Sequence, residues 1–350
     1  MDVLILVVAF VIILLGAELF TNGIEWFGRK LQLAEGAVGS VLAAVGTALP
    51  ETMIPIIAIL TGGGSESSHG VGVGAILGAP FMLSTLAMFV TGVAVLWVAK
   101  RRPAGDVMPV DTEVLGHDVR YFAVAYLIAI GAAFLPLDPV WPKWIVAVVL
   151  IGIYAWYVKA HFEADPDTDA EDLAPLRFRK LDRNGHAENP HDPRLRVVNM
   201  QVLVALGLII LGAYFFVGAV EHLATSFGLD PILLALVIAP IATELPEKAN
   251  SVIWVRQGKD TLSMGNITGA MVFQSAIPTV IALLFAADAW HFGEGSRIAF
   301  LSAGIAFLST AAIFIPMVRS HRLTGRRLLV GGAFYLVYLG IVVAALGGFV

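Results

Sequence analysis

The chain of 350 residues contains no cysteine, which excludes disulfides and thiolate metal ligands. Charge is scarce as well: Asp, Glu, Lys and Arg make up 14% of the residues. No basic patch or stripe of the kind that nucleic acid requires is present. There is no paired metal motif, and no nucleophile with a base beside it, so bond-making chemistry is not expected. The apolar start over residues 3–15 lacks the basic leading segment of a signal peptide and reads as a mature helix. One acidic stretch, Asp165-Pro166-Asp167-Thr168-Asp169, resembles the opening of a calcium loop. It lacks the glycine needed at the sixth position, where Ala170 stands, and the glutamate needed at the twelfth, where Leu176 stands.

What the chain does have is hydrophobic length. Apolar residues make up 58% of it, in long runs rather than stripes, which is the signature of a polytopic membrane protein. With about 20 residues needed to cross a bilayer, ten spans are expected: 2–27, 35–61, 70–98, 119–136, 141–160, 198–224, 231–256, 261–286, 297–318 and 327–348. Three units follow: a first membrane half at 1–160, a linker at 161–196 and a second half at 197–350. The linker reads as solvated. The loop at 100–118 reads as flexible, with Lys100-Arg101-Arg102 as a membrane-surface anchor.

The halves repeat. At an offset of 196 residues, Leu15-Gly16-Ala17 falls on Leu211-Gly212-Ala213, Phe20 on Phe216, and Glu25 on Glu221. At the same offset Thr47, Leu49, Pro50 and Glu51 fall on Thr243, Leu245, Pro246 and Glu247. At an offset of 191, the glycine-rich GAILGA beginning at Gly74 matches GNITGA beginning at Gly265, and Ser84 falls on Ser275. Five spans per half is an odd number, so the second half is inverted relative to the first. Of the 22 Lys and Arg, 19 fall on the linker side, Lys143 and Arg297 fall on the other side, and Lys248 lies within a span. Basic residues stay cytoplasmic, so the linker is expected inside the cell and both termini outside, in the plasma membrane.

The costly residues are Glu51 and Glu247, carboxylates within apolar runs, each preceded by a proline. Thr47 and Glu51 lie four apart and share a helix face, as do Thr243 and Glu247. Pro50 and Pro246 cannot donate to the carbonyls of Gly46 and Ala242. Carboxylates and freed carbonyls are the oxygen ligands that hard cations take, and an inverted repeat brings two such sets together near the midplane. Ser84, Gln274 and Ser275, one to two turns past the glycine-rich runs, could face them, and simple interhelical bonding accounts for each about as well. Glu244 and Lys248 are four apart in the favourable order for a helical ion pair. The bland reading of the prolines as kinks, and of the acids as interhelical bonds, explains one copy better than two matched ones.

The motifs GTALPET and ATELPEK, each followed by a glycine-rich span, resemble the two alpha-repeats of the calcium/cation antiporter superfamily, and its sodium/calcium exchanger branch more than its proton/calcium branch. The resemblance covers nearly all spans. It implies an all-α membrane protein of ten helices in two inverted five-helix repeats, with a cation site between the second, third, seventh and eighth. It also implies alternating access by movement of the first and sixth helices, calcium held by Glu51 and Glu247 beside Thr47 and Thr243, and sodium or protons as counter-ion. No organic cofactor is implied. The partners are inorganic cations and the bilayer. The chain departs from the pattern at Ala48, Glu244, Ala79, Leu83, Ala270 and Gln274, where the family usually carries other oxygen-bearing side chains. Exchange of magnesium or manganese, and a non-transporting ion sensor on the same fold, stay open beside calcium export.

Overall fold

The computed structural model describes residues 2–30, 49–61, 65–164, 174–182, 193–256, 258–293 and 296–346, without side chains at 25, 28, 49–50, 161–164, 240–250, 253, 262 and 346. Ten helices of more than ten residues run in order through the described chain. They are α1 (Asp2–Lys30), α2 (Leu49–Thr61), α3 (Glu66–Arg101), α4 (Thr112–Gly131) and α5 (Trp141–Ala164) in the first half. In the second half come α6 (Leu195–Phe227), α7 (Pro231–Arg256), α8 (Asp260–Phe285), α9 (Arg297–Ser320) and α10 (Val330–Leu346). Eight of these stretches are long and apolar enough to cross a membrane. The described part of α2 is 13 residues long, and α7 carries Glu244, Glu247 and Lys248 mid-length. Large apolar side chains, among them Leu4, Leu127, Val148, Leu203 and Leu336, point outward and are exposed, as a bilayer-facing surface requires.

Local chemistry sets the helix ends. Asp111 caps α4 by accepting from the amides of Glu113 (2.9 Å) and Val114 (3.1 Å). Gly228, at a left-handed φ of 63°, ends α6, and the turn passes through Asp230 to Pro231 at the first position of α7. Burial raises the Asp230 carboxyl above its ordinary range, against the amide of Ile232, which donates to it at 2.8 Å.

The inverted repeat is visible in the crossing of α1 and α6. A Cβ on Gly16 would sit 2.8 Å from Ile209 Cγ1 and 3.1 Å from the Ala205 carbonyl oxygen. One on Gly212 would sit 2.7 Å from Ile13 Cγ1 and 3.0 Å from the Ala9 carbonyl oxygen. Gly16 is 196 residues before Gly212, while Ile209 and Ala205 are 196 after Ile13 and Ala9, so the two contacts exchange helices and the pair meets across a local two-fold axis. Helices α2, α3, α7 and α8 pack on one another at the centre. Helices α4 and α5 flank α8, and α9 and α10 flank α3.

The glycine-rich spans are not equivalent. A Cβ on Gly74 would strike the Ile232 carbonyl oxygen at 2.2 Å, so α3 and α7 approach backbone to backbone there. At Gly265 no described atom lies within 4 Å. Within α3, residues Leu83–Ala87 form a π-helical turn, the wide geometry that functional helices often carry.

Two expectations about polar loops are corrected. The Arg102 side chain is buried rather than anchored at a membrane surface, and it pairs with Asp260, which is 0% exposed on its side chain. Burial raises the Asp260 carboxyl above its ordinary range, and the guanidinium opposes that rise. The loop around it is ordered by a two-residue ribbon, Val107–Met108 against Leu323–Thr324, and by an ion pair of Arg326 with Asp106 at 3.3 Å. The linker is also not wholly solvated. Its stretch 174–182 docks on α1 and α6, with Leu176 buried against Trp26, Val197 and Val198.

Candidate ion-binding site

Glu51 lies in the first turn of α2, 6% exposed, with both carboxylate oxygens out of contact with solvent. Its surroundings follow from the sequence: Ile54, Ile57, Ala58 and Ile59 continue the helix as buried apolar residues, so the carboxylate sits at the head of a dry stretch. Thr47 lies outside the described residues. Thr243, Glu244 and Glu247 lie on α7, whose backbone runs as one helix beside α2, α3 and α8, and their side chains lie outside the described set, as does that of Lys248.

Gln274 on α8 is buried at 2% exposure, and Ser275 and Ser84 are fully buried. Both hydroxyls turn back onto their own helices. Ser84 Oγ donates to the Phe81 carbonyl at 3.0 Å, and Ser275 Oγ donates to the Val272 carbonyl at 2.8 Å. A hydroxyl that donates this way keeps lone pairs for a cation. The Ser84 carbonyl in turn accepts from Ser309 Oγ of α9 at 2.6 Å, which fixes the π-helical turn in place.

Two oxygens escaped the sequence reading although the signal was present. Pro55 lies four residues after Glu51 inside α2, and Pro278 lies four after Gln274 inside α8. Neither proline has an N–H to donate to the carbonyl four residues back, at Glu51 and at Gln274.

A second buried carboxylate was also missed. Asp118 of α4, 2% exposed, accepts from Thr268 Oγ1 of α8 at 2.6 Å and from the Tyr157 hydroxyl of α5 at 3.0 Å. Thr268 belongs to the glycine-rich motif of the second half, so this contact holds α8 against α4 and α5. Lys143, counted from the sequence only as a loop charge, is fully buried and donates to the carbonyls of Ala287 (2.5 Å) and Trp290 (2.8 Å) beyond the end of α8.

At the face where the chain begins, a cleft of about 580 Å³ opens between α1, α2, α3 and α6. Its walls include Asp2, Ile57, Thr61, Ser65, Ser68, Gly218, Glu221 and His222. Ser65 Oγ donates to Ser68 Oγ at 2.8 Å, and Ser68 Oγ donates to the Glu221 carboxylate. Ile57 on its floor is six residues along α2 from Glu51, about 9 Å at 1.5 Å per residue. Buried Ile54, Phe216 and Val217 pack in that interval. The arrangement is a dry carboxylate site below an apolar seal, with an acid-lined mouth above it.

The sequence model of the sodium/calcium exchanger protein family matches residues 1–162 and 200–347. Among curated proteins, the candidate antiporter CaxA of Alkalimonas amylolytica is 25% identical over 343 residues, covering 95% of this chain and 97% of its own. Among solved structures, the H+/Ca2+ exchanger CAX superposes with a TM-score of 0.70 at 18% identity, over 99% of this chain and 82% of that one. The sodium-calcium exchanger NCX_Mj superposes with a TM-score of 0.55 at 15% identity, over 97% of both.

Proposed function

Because the chain belongs to the sodium/calcium exchanger protein family, a family of membrane cation antiporters, we propose that it exports calcium from the cytoplasm in exchange for sodium or protons. The observation that carries this reading is the burial of Glu51 at the head of α2, among four mutually packed central helices, with its repeat counterpart Glu247 on α7. Two carboxylates neutralise one dehydrated divalent ion. The same pair accepts monovalent cations or protons when the divalent ion leaves, and the loaded and unloaded states differ in how readily the site changes sides. Thr47, Thr243, Ser84, Gln274 and Ser275 supply neutral oxygens, together with the main-chain carbonyls of Glu51 and Gln274.

The orientation supported by the basic residues puts the linker face in the cytoplasm and the cleft outside. Glu244 decides the counter-ion in this reading. If it pairs with Lys248, two net charges remain at the site and sodium suffices. If it stands with Glu247 instead, crowding raises one acid and the site releases a proton as the metal arrives. The two arrangements separate in proteoliposomes in which sodium and proton gradients are imposed independently. The calcium reading fails if neither gradient drives calcium while magnesium or manganese moves; the transport reading fails if no cation moves at all, as an ion sensor would behave.

A further inference from the structure

The open cleft and the docked linker occupy equivalent places. At the 196-residue offset, the cleft residues Tyr214, Gly218 and His222 of α6 map onto Glu18, Asn22 and Trp26 of α1. Cleft residues Asp2 and Ile5 of α1 map onto Val198 and Gln201 of α6. Every one of these five counterparts meets the linker. Arg177 reaches Glu18 at 2.7 Å, and the Ala174 carbonyl accepts from Asn22 Nδ2 (3.2 Å) and Trp26 Nε1 (2.9 Å). The Phe178 amide donates to Gln201 Oε1 at 2.9 Å, and Leu176 packs on Val198. The two-fold relation of the α1/α6 crossing makes this more than a numbering coincidence, because the same offset relates Gly16 and Ile209 to Gly212 and Ile13 in space.

We infer that residues 174–181 are an internal plug, closing the linker-face counterpart of the cleft, and that ion release to that face requires the plug to leave. The chemistry of the contact suits a reversible seal. Its polar part is a closed network: Asn22 Oδ1 accepts from the Arg177 amide (3.0 Å) and from Gln201 Nε2 (3.0 Å), and Gln201 Nε2 also donates to the Leu19 carbonyl (2.8 Å). Water can replace each of those bonds when the segment lifts, so opening strands no buried polar group. The apolar part is small: buried Leu176, with partly buried Phe178 packed against the same cluster. The segment also carries Arg177, Arg179 and Lys180, so while seated it repels a cation approaching from the linker face as well as blocking it. Among the described residues, no comparable segment covers the equivalent mouth at the face where the chain begins.

The inference rests on the exchange reading above, and the test separates the two. The absence of native cysteine permits the pair Leu176→Cys with Val198→Cys in the full-length protein in proteoliposomes. Oxidation is expected to seat the plug permanently and to lower calcium flux at least tenfold, with reductant restoring it. An oxidised pair that transports at the reduced rate overturns the plug. The single variant Leu176→Cys, treated with a maleimide in the folded protein, reports undocking without any need for flux. Labelling within minutes is expected, and Gln201→Ala accelerates it; a thiol that stays protected until the protein unfolds overturns the plug. If the reduced pair and the unmodified protein both move no cation, the exchange reading fails, while the labelling rate still decides whether the segment opens.

Discussion

The two ends of the α1/α6 pair are alike by descent and different in use. At the crossing, Gly16 against Ile209 repeats Gly212 against Ile13 to within about 0.1 Å. Toward one face the groove widens into the cleft beside Glu221, and toward the other the same groove is filled by residues 174–182. An inverted repeat builds two mouths on one site, and only a feature outside the repeat can treat them differently. The linker is such a feature.

The largest expected effect falls where the halves must agree. Glu51→Gln and Glu247→Gln keep shape and remove charge, so each is expected to lower calcium flux by about two orders of magnitude or more while the protein stays folded. Near-normal flux in either variant, measured by isotope uptake, breaks the equivalence at its centre. Next in size is a clamp confined to the linker face. Arg102→Met leaves Asp260 buried without its guanidinium and is expected to destabilise by about 3–5 kcal/mol near neutral pH. Burial raises the Asp260 carboxyl, so its proton favours the fold, and stability falls as pH climbs through the raised value. Without Arg102 that value rises further, so the loss is smaller at pH 5 than at pH 8 in thermal melts of detergent-solubilised protein.

Gly16→Val and Gly212→Val overpack the crossing from opposite sides and are expected to destabilise equally, by about 1–3 kcal/mol each. Unequal losses in the same melts would break the local two-fold. The smallest effect belongs to the open mouth. Glu221→Gln removes a carboxyl from the wall of the cleft and is expected to raise the half-saturating calcium concentration about two- to fivefold from that face alone. Sidedness is read in oriented vesicles, and an equal change from both faces would remove Glu221 from the access path.

The helices, the repeat and the buried Glu51 were legible because each leaves a periodic or costly mark in one dimension. Glu51 stands out in an apolar run whatever it touches, and Gly16 reveals its partner once the offset is known. What the sequence hid was tertiary. Nothing local distinguishes Arg102 from Lys100 and Arg101, yet it alone of the three is buried with Asp260. Leu176 sits in a polar linker and looks solvated until Trp26 and Val198 are brought to it by the α1/α6 crossing. Asp118 lies at the margin of its span, where an acid ordinarily reaches water, and only the meeting of three helices turns it inward. The prolines at 55 and 278 were readable by counting back four, and Thr47 and the side chains around Glu247 lie outside the described residues.

The central claim is that Glu51 and Glu247 together hold one divalent ion. Equilibrium binding of calcium to the purified protein, by isothermal titration without any membrane gradient, tests it most directly. The account predicts one dehydrated-ion site in the unmodified protein, lost in Glu51→Gln and lost equally in Glu247→Gln. Retention of that site, with unchanged affinity, in either variant would contradict it.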